Sequence, residues 1–446
     1  MQNTNIMLLT ENIIIRIFTT LIVFCMSVAA YTQTGTWSGN IKIQWTSLPI
    51  VFHLDKVAPS MDSPALGVRE IPMEVERNNM GGITIRIASI GATYEGVWMK
   101  KKIIGTFSQR GTSLPLTLTP GEKKNNRPQT PEEPFPYSTE EVSFSNGDAV
   151  LRGTLTLPQN YSRSTPILIM VTGSGLQNRD EEIFEHKPFS VIADAFAREG
   201  IATLRYDDRG FGESSGDIIH CTTEDLKNDA LAGIKLLRER FDNVGVLGHS
   251  EGGTIAMMLA ADGKVDFIVS LAGMCISAKE TLLWQKRVFL PTIGFSNSDV
   301  ETFCTLLNKA FDCSLTGKPL PKCDDTDLPD VLKENFRGTI VQLQSLYMKY
   351  LLSLDAREYI KRIKCPVLAL NGTMDFQVEC RSNLRALEDC LPQKTQRNIV
   401  ELKGLNHMFQ HCKTGSVTEY PNIEETFAPE ALKTMIHWVN NLLKKG

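Results

Sequence analysis

The spacing of apolar residues changes character once along this chain. Between residues 35 and about 119, apolar positions recur at every second residue in short runs: Ile41-Lys-Ile-Gln-Trp, Leu48-Pro-Ile-Val-Phe-His-Leu, Ile83-Thr-Ile-Arg-Ile, Val97-Trp-Met and Ile103-Ile-Gly-Thr-Phe. Gly, Pro, Asn and Asp separate them. A period of two places alternate side chains on one face of a strand, so residues 35–119 predict a small all-β module, either sandwich or barrel. Within it His53 stands alone in an apolar stretch and reads as a packed or edge residue. Residues 120–136 are rich in proline and charge and predict a semi-extended linker, the best domain boundary in the chain.

From residue 137 to 446 the pattern becomes one of strands alternating with helices. Two runs around Asn146-Gly147 predict an antiparallel pair. Continuous apolar runs follow at Ile167–Val171, Ile201–Tyr206, Val244–Leu247, Phe267–Leu271 and Val367–Leu370, with a last strand at Asn398–Leu402. Helical periodicity lies between most of them, near 187–199, 224–240, 251–261, 380–391 and 425–443. Strands without a polar face, joined by amphipathic helices, predict a mostly parallel sheet covered on both sides. The alternation breaks at about 276–364, where helical segments at Thr281–Phe289, Ser298–Phe311 and Val331–Leu351 predict a cap over the site.

Composition narrows the function classes. A chain of 446 residues with 42% hydrophobic and 22% charged residues suits two globular domains. A formal net charge of −4 offers no footprint for nucleic acid or an anionic membrane. There is no internal repeat, no metal-type Cys/His spacing and no phosphate loop. Near the N-terminus, Arg16 precedes an uncharged run from Ile17 to Ala30 that ends in small residues. The run is short for a membrane span of about 20 residues, so residues 1–30 predict a cleavable signal peptide and an exported protein without a stable membrane anchor. Of ten cysteines, Cys25 falls in this leader and the remainder is odd, leaving at least one free thiol. Cys304, Cys313 and Cys323 are close enough in sequence to pair among themselves, with buried thiols as the alternative.

The chemistry centres on Gly248-His-Ser-Glu-Gly252, set between the strand at Val244–Leu247 and a helix starting near Glu251. A G-x-S-x-G turn between strand and helix exposes the serine hydroxyl, and its glycines let neighbouring backbone approach. A serine nucleophile needs a base, a carboxylate to orient it and N–H donors for an oxyanion. Asp375 follows the strand at 367–370 and His407 follows the one at 398–402, so Ser250, Asp375 and His407 occur in the order of an α/β-hydrolase triad. Glu379 competes for the carboxylate role and His411 for the base. His249 is expected to pack beneath the turn, and His186 to lie near the site and contact substrate. For the oxyanion, one donor is the N–H of Glu251 at a helix start, and the other lies in Thr172-Gly-Ser-Gly175, with Ser174 the best single choice.

These stretches make a family resemblance specific. Val171-Thr-Gly-Ser-Gly-Leu-Gln-Asn-Arg-Asp-Glu, Lys187-Pro-Phe, Arg205-Tyr-Asp-Asp-Arg-Gly-Phe-Gly-Glu-Ser-Ser-Gly, Gly248-His-Ser-Glu-Gly, Gly372-Thr-Met-Asp and Leu405-Asn-His-Met-Phe-Gln span residues 140–446. They resemble the α/β-hydrolase superfamily, and within it bacterial carboxylesterases beside the serine aminopeptidase-like and dienelactone hydrolase-like branches. The resemblance implies Ser250 as nucleophile, His407 as base, Asp375 as its orienter, and ester hydrolysis through an acyl-enzyme without metal or organic cofactor. Thr172-Gly stands where many relatives carry His-Gly. Asp207, Asp208 and Arg209 read first as structural ion-pair residues. The expected substrate is a small ester of short or medium acyl chain, acylated carbohydrate and aromatic esters included. A serine peptidase with the same triad is the alternative, and a catalytically silent binding protein the third reading.

Overall fold

The computed structural model describes residues 34–442 except 44–45, 56, 79–80, 110 and 123. The leader expected at 1–30 lies outside the described residues. Contacts divide the chain into two units between Lys124 and Asn125.

In the first unit, strands β1 (Thr36–Ile43), β2 (Thr46–His53), β3 (Ser60–Ser63), β4 (Val68–Pro72), β5 (Glu74–Arg77), β6 (Gly82–Ile87), β7 (Ala92–Met99), β8 (Lys102–Gln109) and β9 (Thr112–Pro120) form one antiparallel sheet. Its order is β4-β3-β2-β1-β9-β8-β7-β6-β5. The outer strands β4 and β5 follow each other across Met73, so the two ends of the sheet meet in the chain. The inward positions of the period-2 runs, including Phe52, Ile85, Tyr94, Ile103 and Leu118, make one buried core. His53 is tied at a strand end, its Nε2 3.0 Å from Asp62 Oδ2.

The second unit holds an eight-stranded sheet of order β10-β11-β13-β12-β14-β15-β16-β17. Its strands are β10 (Ser138–Asn146), β11 (Ala149–Leu157), β12 (Ile167–Val171), β13 (Ala202–Tyr206), β14 (Val244–His249), β15 (Phe267–Leu271), β16 (Val367–Gly372) and β17 (Arg397–Leu402). The β10–β11 hairpin is antiparallel and β11 joins β13 antiparallel; from β13 to β17 every pairing is parallel. The apolar runs are apolar on both faces because both faces are covered. Ile167, Ile169 and Val171 enter one core with helices α2 (Thr223–Arg238) and α3 (Glu251–Ala261), whereas Leu168 and Met170 enter the other. That second core holds Phe189, Ile192 and Phe196 of α1 (Pro188–Arg198) and Met435 and Val439 of the C-terminal helix.

The segment between β15 and β16 carries α4 (Ala278–Thr292), α5 (Asn297–Thr316), α6 (Asp330–Gln342), α7 (Leu346–Ser353) and the single turn α8 (Arg357–Ile360). The helix expected at 331–351 is thus two helices. Ser345 restarts the chain by accepting the Met348 N–H at 3.2 Å, a cap that competes with helix continuation. Helix α9 (Cys380–Cys390) precedes β17, and α10 (Pro429–Leu442) starts later than the periodicity indicates because Pro429 takes the first-turn position. All nine cysteines among the described residues are free thiols, so Cys304, Cys313 and Cys323 do not pair. Cys304 and Cys323 are buried instead.

Residues 125–136, read from composition as a tether, belong to the second unit and are fastened to it. The Arg127 guanidinium donates to the carbonyls of Phe184, Pro421 and Ile423, and Gln129 accepts from the Thr426 and Phe427 amides. Within the segment the Thr130 amide donates to Arg127 O at 3.1 Å, and the Arg127 and Gln129 side chains fix its course on the second unit.

Candidate active site

Strand β14 runs straight into α3 through Ser250, whose φ of 53° and ψ of −116° are a strained conformation for a non-glycine residue. The Ser250 amide donates to Leu271 O at 2.8 Å, and the Gly253 amide returns to Ser250 O at 3.0 Å. The flanking glycines are required by contact. A Cβ on Gly248 would sit 2.0 Å from Gly252 O, and one on Gly252 would sit 2.1 Å from Val171 O. Backbone cannot yield as a flexible side chain does, so Gly252→Ala is expected to cost about 2–3 kcal/mol of stability. The urea unfolding midpoint measures it.

After β16 the chain turns at Asp375, and after β17 at His407. The two meet: His407 Nδ1 lies 2.7 Å from Asp375 Oδ2, both side chains almost fully buried. The other carboxylate oxygen accepts the amides of Gln377 (2.7 Å) and Val378 (2.8 Å), which fixes its plane. A proton held on Nδ1 by this carboxylate leaves Nε2 as the basic nitrogen of the ring. The His407 turn is shaped by Asn406, whose side-chain oxygen accepts the amides of Met408 and Gln410. Among the described residues the Ser250 hydroxyl makes no hydrogen bond, to His407 or otherwise. His407 and Asp375 are therefore joined, and Ser250 stands at the end of β14, separated from β16 by β15, with its hydroxyl uncommitted.

The competing residues sit elsewhere. Glu379 caps α9 by accepting the Arg381 and Ser382 amides. His411 is on the surface between Glu425 and Glu430. His186 does not face a substrate: it is wholly buried, Nε2 3.0 Å from Tyr420 O and Nδ1 3.0 Å from Thr426 Oγ1. Burial, with a smaller contribution from Arg127, pushes its imidazole down to about 4. Since the folded state disfavours the proton, the stability His186 contributes is intact above about pH 6.5 and is lost as pH falls through about 4. That loss amounts to about 3 kcal/mol. Unfolding midpoints compared at pH 7.5 and 4.5 are expected to show it, and a His186→Asn variant, which cannot titrate there, to flatten it.

The loop after β12 closes the other side. The position a Gly173 Cβ would take is 3.2 Å from Ser250 Cβ, so this loop lies against the serine. Its shape is held by two buried carboxylates that sequence reading gave no role at the site. Glu181 Oε1 accepts the Gly173 amide at 2.8 Å, and Asp208 Oδ2 accepts Thr172 Oγ1 and the Gln177 amide, each at 2.8 Å. With the Gly173 amide occupied, the next one in the loop belongs to Ser174. On the opposite side Glu251 is the first residue of α3, so its N–H has no acceptor within the helix. The Glu251 carboxylate accepts from Thr223 Oγ1 (2.6 Å) and from the hydroxyl of Tyr347 on α7 (2.5 Å), which brings the inserted helices to the elbow.

The reading of Asp207, Asp208 and Arg209 as ion-pair residues divides. Asp207 pairs with Arg179 at 2.8 Å and Arg209 with buried Asp229 at 2.6 Å. Asp208 makes no ion pair among the described residues; burial pushes its carboxyl up to about 8 and it serves as a hydrogen-bond acceptor for the loop. Glu181 was concealed in the acidic run Asp180-Glu-Glu, which looks like a solvated surface until the fold buries it. Tyr347 lay in the inserted helices, whose inner face periodicity does not reveal.

A mostly parallel sheet, crossover helices on both faces and a serine elbow between β14 and α3 define the α/β-hydrolase fold. A family model described as serine aminopeptidase, S33 matches residues 185–411, and the chain belongs to that family. Esterase EstD of Thermotoga maritima is 29% identical over 310 residues, which cover 69% of this chain and 66% of that protein, a little under two thirds of its length. Among solved structures, Est1E from Butyrivibrio proteoclasticus with ferulic acid bound aligns at 17% identity and a TM-score of 0.40, covering 66% of this chain and 97% of its own. The Pyrococcus furiosus esterase Pf2001 aligns at 16% identity and a TM-score of 0.43, covering 73% and 99%.

Proposed function

We propose that this protein is a serine carboxylic ester hydrolase working through an acyl-enzyme on Ser250. The observation that carries the reading is the 2.7 Å contact between His407 Nδ1 and Asp375 beside a serine held at φ 53°. Ser250 Oγ attacks the ester carbonyl while His407 Nε2 takes its proton, and Asp375 stabilises the imidazolium that forms. The tetrahedral oxyanion rests on the amides of Glu251 and Ser174, the first aided by the N-terminal end of α3. His407 then protonates the leaving alcohol and activates the water that releases the acid. Kinship with the Thermotoga esterase supports an ester substrate over an amide, and an ester also has the better leaving group. Substrates of short or medium acyl chain are proposed, acylated carbohydrates among them.

The family's description makes aminopeptidase the second reading. Parallel assays on p-nitrophenyl acyl esters and aminoacyl anilides separate the two: turnover of esters alone supports the esterase, and faster turnover of anilides overturns it. Covalent labelling by a fluorophosphonate probe is expected at Ser250, read by peptide mass spectrometry. Export through a leader at residues 1–30 is part of the proposal, and a mature N-terminus near residue 31 is the expected result of sequencing the secreted protein.

A further inference from the structure

His249 is the last residue of the nucleophile strand, set between the oxyanion loop and the base loop, and both its ring nitrogens face oxygen acceptors. Nδ1 is 2.8 Å from Glu181 Oε1, and Nε2 is 2.9 Å from the backbone carbonyl of His407. A backbone carbonyl can only accept. Glu181 Oε1 already accepts the Gly173 amide at 2.8 Å. A neutral imidazole carries a proton on one nitrogen, so either tautomer beside a carboxylate would set a lone pair against an oxygen at these distances. The pair is buried, with His249 5% and Glu181 3% exposed. Among the described residues His249 is also the ion-pair partner of Glu181, with no lysine or arginine alongside. A buried carboxylate without a cation is costly, and the imidazole is the group at hand to supply one.

We propose that His249 is held as a doubly protonated imidazolium by Glu181, and that this pair is a positioning device joining the oxyanion loop, the nucleophile elbow and the base loop. Glu181 fixes the Gly173 amide and hence the direction of the Ser174 amide that follows. His249 fixes the His407 carbonyl and hence the backbone from which the base projects. The His249 and His407 rings lie with centroids 4.6 Å apart, so a shift of one is felt by the other. The carboxylates facing the His249 ring are Glu181 and Asp375; the His407 ring packs against it, and the His407 backbone carbonyl meets its Nε2. Burial is the largest single influence and pushes this imidazole down, but Glu181, the His407 carbonyl and Asp375 together outweigh it and the net direction is up. Glu181 itself sits at φ 52°, a strained backbone found where surrounding structure dictates the conformation. The catalytic consequence rests on the ester hydrolase reading above; the protonation state does not.

The test is nitrogen NMR of the histidine-labelled full chain, alongside kinetics. In the wild type at pH 8, one buried histidine is expected to show protons on both ring nitrogens, and the signal should vanish in His249→Asn. Glu181→Gln is expected to leave that ring with a single proton and to lower kcat about 100-fold with little change in KM, as misplaced catalytic groups do. Because the two residues act as one unit, Glu181→Gln combined with His249→Asn should cost about as much as either alone. Should a variant fail to fold, the wild-type spectrum alone decides the protonation. A single ring proton on His249 in the wild type, as in a neutral pair with the proton on Glu181, overturns the proposal. So does a folded Glu181→Gln enzyme with wild-type kcat. A wild type without ester turnover strikes the function proposed above, while the spectrum still reports on the pair.

Discussion

Ser250→Ala is expected to lower p-nitrophenyl acetate turnover about a millionfold, to the residual level that the oxyanion donors and substrate binding supply without a nucleophile, with the fold unchanged. A serine nucleophile acts as a unit with its base, so removing it forfeits the covalent route altogether. The stability side is equally specific. The Ser250 hydroxyl makes no hydrogen bond among the described residues, so its removal strands no buried partner. The unfolding midpoint should shift by no more than about 0.5 kcal/mol, the range of substitutions that break no contact. Ser250→Gly sharpens the point. Glycine adopts φ 53° without the Cβ penalty, so that variant should be as inactive as alanine and about 1 kcal/mol more stable than the wild type. A gain in stability with total loss of activity would mark the elbow as strain retained for function. Substantial ester turnover by Ser250→Ala would remove the assignment.

Asp375→Asn is the second large effect, about a 10,000-fold loss in kcat with KM nearly unchanged. The amide oxygen of asparagine can keep the Gln377 and Val378 amides that Asp375 Oδ1 now accepts. Its NH2 group would then face His407 Nδ1 across the present 2.7 Å contact. A donor in that place makes Nδ1 the acceptor and moves the ring proton to Nε2. The ring is then the wrong tautomer to take a proton from Ser250, although it has not moved. The loss corresponds to about 5 kcal/mol of transition-state stabilisation. Because geometry survives, the fluorophosphonate should still find the site, only slowly. An Asp375→Asn enzyme within tenfold of wild-type kcat would mean that the carboxylate is structural.

Much of this site was legible before folding because its parts obey local rules. Gly248 and Gly252 bracket Ser250 at the two positions where β14 and α3 come within contact of neighbouring backbone, and that requirement is written as residue type. Asp375 and His407 each follow an apolar run that reads as a strand, so their placement at adjacent sheet ends follows from parallel order. The helix expected at 331–351 failed at Ser345, where a side-chain cap outweighed an apolar periodicity that ran on through it. His186 seemed a substrate contact because it lies in a loop near the motif, yet its two ring nitrogens were claimed by residues more than two hundred positions away.

The sequence by itself determined the sheet and its covering helices, the elbow and the order of serine, aspartate and histidine. Those features depend on period, residue size and chain direction, which neighbours in sequence are enough to specify. Only the tertiary structure decided which acid serves which loop. Asp207 and Asp208 are adjacent, yet one pairs with Arg179 and the other accepts from Thr172 and Gln177. Glu181 and His249 are 68 residues apart and meet in the buried interior. A hydrogen bond between distant buried groups leaves no periodic trace, because its cost and its gain both arise only once water has been excluded around the two partners together.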